Sequence, residues 1–121
     1  MTKKIIVAED DEDVRTAIRI LLEGKDREVH EAEDGVKALE LAQRVRPDLM
    51  VMDVMMPGKV GYQVCRELKA DPETRHVYII FLTARGPQAE AAVKGCGGDE
   101  IMIKPFDIDE LRARVVKALA R

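Results

Sequence analysis

A chain of 121 residues, 46% hydrophobic and 36% charged, has the size of one domain with one core, burying roughly two-thirds of its unfolded surface. Its 20 basic and 23 acidic residues are interleaved and leave a net charge of −3, which argues against nucleic-acid binding driven by a basic face. No apolar run approaches the ~20 residues that cross a bilayer, no secretory leader pattern follows Met1, and Cys65 and Cys96 have neither metal-ligand nor CxxC spacing; a cytoplasmic protein with reduced thiols is expected.

Residues 4–8, apolar once the first lysine is passed, predict a buried strand. Val14, Ala17, Ile18, Leu21 and Leu22 then recur with helical spacing up to Gly24. A short strand is expected near 28–32, a turn at Asp34-Gly35, and a helix whose apolar positions are Val36, Leu39, Ala42 and Val45, stopped by Pro47. Residues 49–52 form a second apolar strand that runs into Asp53. Met56-Pro57-Gly58 break the chain before a helix carrying Val64, Cys65 and Leu68. The third central strand is 77–82. An Ala-rich helix spans 87–94 and dissolves into Gly95, Gly97 and Gly98, and 101–103 is the last strand. The closing helix places Ile108, Leu111, Val115 and Leu119 on one face. Its basic residues Arg112, Arg114, Lys117 and Arg121 read as a solvated end that complements the helix dipole.

Five strand–helix units joined by right-handed crossovers make an α/β fold. The expectation is a five-stranded parallel sheet in the flavodoxin-like order 2-1-3-4-5, with helices on both faces and one domain over 1–121. Ligands of such sheets bind beyond the carboxyl ends of the strands, at the switch point between the first and third. Four apolar runs end there in polar residues: Glu9-Asp10, Asp53, Thr83 and Lys104.

Two like charges about 4 Å apart repel by about 4 kcal/mol at an effective dielectric near 20. Bringing Glu9, Asp10 and Asp53 together therefore calls for protonation or a cation. Mg²⁺ suits a site of a few carboxylates, waters and a phosphate oxygen. For Glu9 and Asp10 alone, capping of the following helix is an equal reading, and Asp11 and Glu12 are expected only to cap. Asp53 can act as a nucleophile, because carboxylates form acyl phosphates. Thr83 can donate to a phosphoryl oxygen, and Lys104 can supply a point positive charge. Singly, Thr83 reads as a strand-end residue and Lys104 as a surface lysine. Their joint appearance after successive strands carries the functional reading.

The strings IIVAEDDEDVR, DVMMPG, LTA and KPF, in this order and at these separations, resemble the receiver domain of two-component response regulators over the whole chain, and chemotaxis regulators among them. The 2-1-3-4-5 order is that family's own. The resemblance implies a phosphorylation-dependent signalling switch with Asp53 as phosphoacceptor. It implies Mg²⁺ held by Glu9, Asp10, Asp53 and the backbone carbonyl of Met55. Thr83 matches the switch hydroxyl, Lys104 the lysine of the site, and Pro105 a proline preceded by a cis peptide. A histidine kinase or phosphotransfer protein would donate the phosphoryl group. The receiver is then not an enzyme in the ordinary sense, although it catalyses its own phosphotransfer and slow dephosphorylation. Its fourth helix, fifth strand and fifth helix would form the face offered to a downstream effector protein. Direct nucleic-acid binding and membrane contact are not implied, and a phosphorylation-dependent homodimer is compatible.

Three residues depart from the family pattern. Glu9 stands for the commoner Asp, and Val60 for an acidic residue. Ile101 occupies the position of the switch aromatic, so a ring rotation cannot be carried over. Met55, two residues after Asp53, cannot orient a water by hydrogen bonding. Arg85, two after Thr83, can meet or screen the phosphoryl oxygens. Slow self-hydrolysis is the expectation. A dehalogenase-type phosphatase would need a second Asp where Met55 stands, and a flavodoxin would need stacking aromatics in its loops, whereas the chain has 2 Tyr and 2 Phe. The alternative that stays open is a degenerate receiver acting as a phosphorylation-independent protein-binding module.

Overall fold

Every residue of 5–8 and of 49–52 is buried, on both alternating sides, so these runs lie between two layers rather than against one. In the computed structural model, which describes residues 2–84 and 87–120, they form the centre of a parallel sheet. The elements in chain order are β1 (Lys3–Ala8), α1 (Glu12–Leu22), β2 (Arg27–Ala32), α2 (Gly35–Val45), β3 (Leu49–Asp53), α3 (Gly61–Ala70), β4 (Tyr78–Thr83), α4 (Pro87–Cys96), β5 (Glu100–Ile103) and α5 (Ile108–Leu119). The strand order is β2-β1-β3-β4-β5, with Val7 beside Val51 and Val51 beside Ile80. The predicted five-strand order is the observed one.

Alternation along the strands divides the core into two layers. Ile5, Val7, Leu49, Val51, Ile80 and Leu82 pack with Ile18 and Leu22 of α1 and Leu111 and Val115 of α5. Ile6, Met50, Met52, Ile79 and Phe81 pack with Leu39 of α2, Val64 and Leu68 of α3 and Val93 of α4. The chain leaving β1 therefore enters a helix on one face, and the chain leaving β3 enters a helix on the other. The crevice between those two departures is where the polar strand ends lie.

Aspartates start three helices. Asp11 accepts from the N–H groups of Asp13 and Val14, Asp34 from Lys37, and Asp107 from Asp109 and Glu110. Asp34-Gly35 is thus not a turn but the cap and first residue of α2. The helical apolar positions are also narrower than the spacing suggests: Ala17, Val36 and Ile108 are exposed, because the buried stripes centre on Ile18/Leu22, Ala38/Ala42 and Leu111/Val115. Helix α4 runs past Gly95 to Cys96. It ends only where Gly97 takes φ +91°, with Gly97 N–H bonded to Lys94 O and Gly98 N–H to Val93 O. That paired closure is the Schellman end, and its positive φ is what requires glycine.

The basic C-terminal helix is less solvated than expected. Arg114 donates to the Ile101 carbonyl at 3.2 Å and to Glu110 at 2.9 Å, tying α5 to β5. Arg121 lies outside the described residues. Cys65 and Cys96 are free thiols, both buried. Among the described residues, no helix is long and apolar enough to cross a membrane.

Candidate functional site

Backbone hydrogen bonds of the sheet extend just beyond the strands and hold the polar residues in place. Glu9 N–H reaches Ala32 O at 3.1 Å, Val54 N–H reaches Leu82 O at 3.2 Å, and Lys104 N–H reaches Thr83 O at 2.7 Å. Glu9, one residue past β1, is 1% exposed, and Asp53, the last residue of β3, is 7% exposed. Asp10 follows Glu9 into solvent. Carboxylate oxygens of Glu9, Asp10 and Asp53 all lie within 4.8 Å of one another.

Lys104 reaches this cluster from the far side of the sheet. Its Nζ is 3.0 Å from Glu9 Oε1 and 3.0 Å from Asp53 Oδ2. The remaining oxygens face backbone donors: Asp10 N–H donates to Glu9 Oε2 at 3.0 Å, and Met55 N–H donates to Asp53 Oδ1 at 3.2 Å. Each buried carboxylate is thereby held by one ammonium and one amide. A loop that lets Met55 do this must pass close to α3. A Cβ on Gly61 would sit 2.6 Å from Asp53 O and 3.1 Å from the Phe81 ring, so the close approach admits only glycine.

One ammonium does not neutralise three carboxylates. Burial, followed by the hydrogen bond and charge of Asp53, pushes the Glu9 carboxyl from its usual 4.5 up to about 7, with Lys104 pulling the other way. For Lys104 burial favours the neutral amine, but its bonds to Asp53 and Glu9 outweigh burial and raise its affinity for the proton. The cluster is electrostatically short of positive charge. Its donors are hard oxygens converging from two strand ends, the set that suits Mg²⁺.

Thr83 ends β4 and is 2% exposed. It shares a strand face with Phe81, the register partner of Ile101, so Thr83 stands at the upper edge of the apolar layer that Ile101 joins half-buried. Met55 is 58% exposed. The Lys104–Pro105 peptide is cis, as expected from the resemblance. Arg85 lies outside the described residues. The structure thus brings Glu9, Asp10, Asp53 and Lys104 into one cluster, sets Thr83 on the neighbouring strand end, and leaves Ile101 in the layer below. Asp11 only caps α1, as predicted.

Sequence reasoning missed Arg15. From the second turn of α1 its Nη1 donates to the Glu9 carbonyl at 2.9 Å, and its Nε to Glu31 Oε1 at 3.0 Å. The available signal was a basic residue soon after Glu12 and Asp13, near a helix start whose dipole favours acids.

A profile of the response regulator receiver domain matches residues 5–116. The chain is 42% identical over 123 residues to the phosphate regulon transcriptional regulatory protein PhoB of Rhizobium meliloti, covering 100% of this chain and 54% of that protein. It is 36% identical over 120 residues to the DNA-binding dual master transcriptional regulator RpaA of Synechocystis sp., covering 98% and 49%. The chain spans about half the length of these curated relatives. Among solved structures it is similar to a putative response regulator from Chloroflexus aurantiacus, with TM-score 0.91, 33% identity and 100% of both chains covered. The BeF3-activated DrrB receiver domain gives TM-score 0.90 at 28% identity, again with 100% of both chains covered.

Proposed function

This chain belongs to the response regulator receiver family, whose members are phosphorylation-dependent switches that bind Mg²⁺ at an acidic pocket, and from that premise we propose that Asp53 is its phosphoacceptor, with Glu9, Asp10, Asp53 and the Met55 carbonyl holding the ion. The observation that carries this reading is the placement of Lys104 Nζ at 3.0 Å from both Glu9 and Asp53, inside a cluster of three converging carboxylates.

Bound Mg²⁺ would supply the positive charge the cluster lacks and neutralise a phosphoryl oxygen. The residues of the chain do the rest. An Asp53 carboxylate oxygen attacks phosphorus in the donor, a phosphohistidine of a histidine kinase or phosphotransfer protein. The new bond is the acyl phosphate O–P bond, the donor's N–P bond breaks, and the electron pair leaves with the imidazole. Lys104 and Thr83 donate to oxygens of the transferred group, Thr83 from the end of β4 beside β3 and Lys104 from just beyond β5. Hydrolysis by water returns the Asp53 carboxylate and inorganic phosphate. Met55 offers no strong hydrogen-bonding atom on its exposed side chain to orient that water, which favours a slow return. Arg85, two residues beyond Thr83 in sequence, is the further candidate to meet or screen the phosphoryl oxygens.

The output is a changed protein-binding face on α4, β5 and α5, offered to an effector protein in the cytoplasm or to a second phosphorylated copy. No nucleic-acid contact is assigned to these residues, whose charges are interleaved. All of 1–121 acts as one receiver domain in this reading.

Incubation with acetyl phosphate and Mg²⁺, followed by intact mass spectrometry, tests it. Wild type is expected to gain one phosphoryl group and Asp53→Asn none. Equal uptake by the two proteins, or no uptake by wild type and no beryllofluoride binding, would overturn the assignment.

A further inference from the structure

We propose that Arg15 is a positioning residue for the cation site, acting through the peptide that joins Glu9 to Asp10; this rests on the reading of Glu9 and Asp10 as ion-holding residues. The geometry is specific. The carbonyl of that peptide accepts from Arg15 Nη1 at 2.9 Å, and its N–H donates to Glu9 Oε2 at 3.0 Å. Both polar atoms of one peptide plane are thereby held. The preceding N–H, on Glu9, is bound to Ala32 O at 3.1 Å. The direction in which the exposed Asp10 carboxylate leaves the chain follows from that plane.

Arg15 is itself fixed. Its side chain is 13% exposed, and its Nε is 3.0 Å from Glu31 Oε1 at the end of β2. The other oxygen of Glu31 lies 2.8 Å from Arg19 Nε, one helical turn further along α1. Glu31 is the register partner of Val7, two residues before Glu9. The guanidinium fork therefore connects the acidic peptide to β2 through two bonds at fixed angles. A lysine ammonium is a compact charge on a flexible stem and lacks the rigid planar fork that holds these two partners at fixed angles. Partners one step removed from metal ligands typically alter metal affinity by roughly 10–100-fold when removed.

A merely structural arginine would lower thermal stability and leave ion binding alone. A positioning arginine shifts affinity instead. The test measures Mg²⁺ binding by titration calorimetry and Mn²⁺ binding by electron paramagnetic resonance, for wild type, Arg15→Ala, Arg15→Lys and Glu31→Gln. It adds the Mg²⁺ dependence of phosphoryl uptake from acetyl phosphate. Arg15→Ala is expected to raise the Mg²⁺ dissociation constant about tenfold, and the half-saturating Mg²⁺ for uptake in proportion. Uptake at saturating Mg²⁺ should stay within about twofold of wild type. Arg15→Lys should recover part of the loss, and Glu31→Gln should show a smaller shift in the same direction. An unchanged dissociation constant in a folded Arg15→Ala protein overturns the proposal. If Arg15→Ala does not fold, Glu31→Gln decides: a weakened affinity supports the proposal and an unchanged one overturns it. Wild type that binds neither ion would instead overturn the reading of the acidic cluster on which the proposal rests.

Discussion

The β1–β3 side and the β4–β5 side of the same sheet end hold their residues by different means. On the first, Glu9 and Asp53 are each bonded to a backbone amide and to the Lys104 ammonium, which reaches across from the end of β5, at 3.0–3.2 Å, and Arg15 adds a bond of 2.9 Å to the Glu9 carbonyl. On the second, Phe81 fills the space between Gly61 and Gly98, where a Cβ would come within 3.1 and 2.7 Å of its ring. Ile101 and Val93 complete that layer. Hydrogen bonds to charged atoms specify direction, and their loss leaves an unmatched charge. Apolar contact specifies volume and has no preferred direction. The charged side is therefore sensitive to the identity of an atom, the apolar side to size.

Four substitutions probe that contrast. Lys104→Met keeps an unbranched chain one atom shorter and removes the ammonium between two carboxylates; phosphoryl uptake should slow about 100-fold while the fold survives. A loss below about threefold would mean that charge does not govern the β1–β3 side. Gly61→Ala puts a methyl against the Asp53 carbonyl and the Phe81 ring, where the two sides meet. It should cost about 1–3 kcal/mol in urea unfolding, and an unchanged midpoint would show the contact to be slack. Thr83→Ala removes a hydroxyl at the junction with the charged side and should slow uptake about tenfold, with Thr83→Ser retaining the rate. Equal rates in Ala and wild type would place Thr83 wholly on the apolar side. Ile101→Val deletes one methylene from a half-buried position; about 0.5–1 kcal/mol of stability should go, with uptake unaltered. A rate loss matching that of Thr83→Ala would show that the two sides act as one.

How far the sequence could be read followed from the range of each signal. Residues 5–8, 49–52 and 79–82 are apolar on both alternating faces, and a run of that kind has no stable place except inside a covered sheet. The polar residues that end those runs were legible for the same reason. Local signals with two outcomes were read less well. Asp34-Gly35 suits a turn or a helix start; the Asp34 side chain accepting from Lys37 N–H makes it a helix start, and the Lys59 carbonyl, which would be 1.9 Å from a Cβ, requires glycine as the first residue. Gly95 could have ended α4, but the left-handed residue that closes the helix is Gly97. Arg114 had the composition of a solvated helix end and finds its partners on Glu110 and the Ile101 carbonyl.

The sequence alone determined the five strands, their parallel order and the polar groups at their ends, because burial on two faces and strand–helix alternation leave few alternatives. Only the tertiary structure decided which atoms meet. Lys104 joins Glu9 across 95 positions and Asp53 across 51, and Arg15 reaches back from α1 to the peptide that joins Glu9 and Asp10. Such partnerships depend on where three elements stop relative to one another. A hydrogen bond is made or lost within a few tenths of an ångström, a tolerance that periodicity in one dimension does not carry.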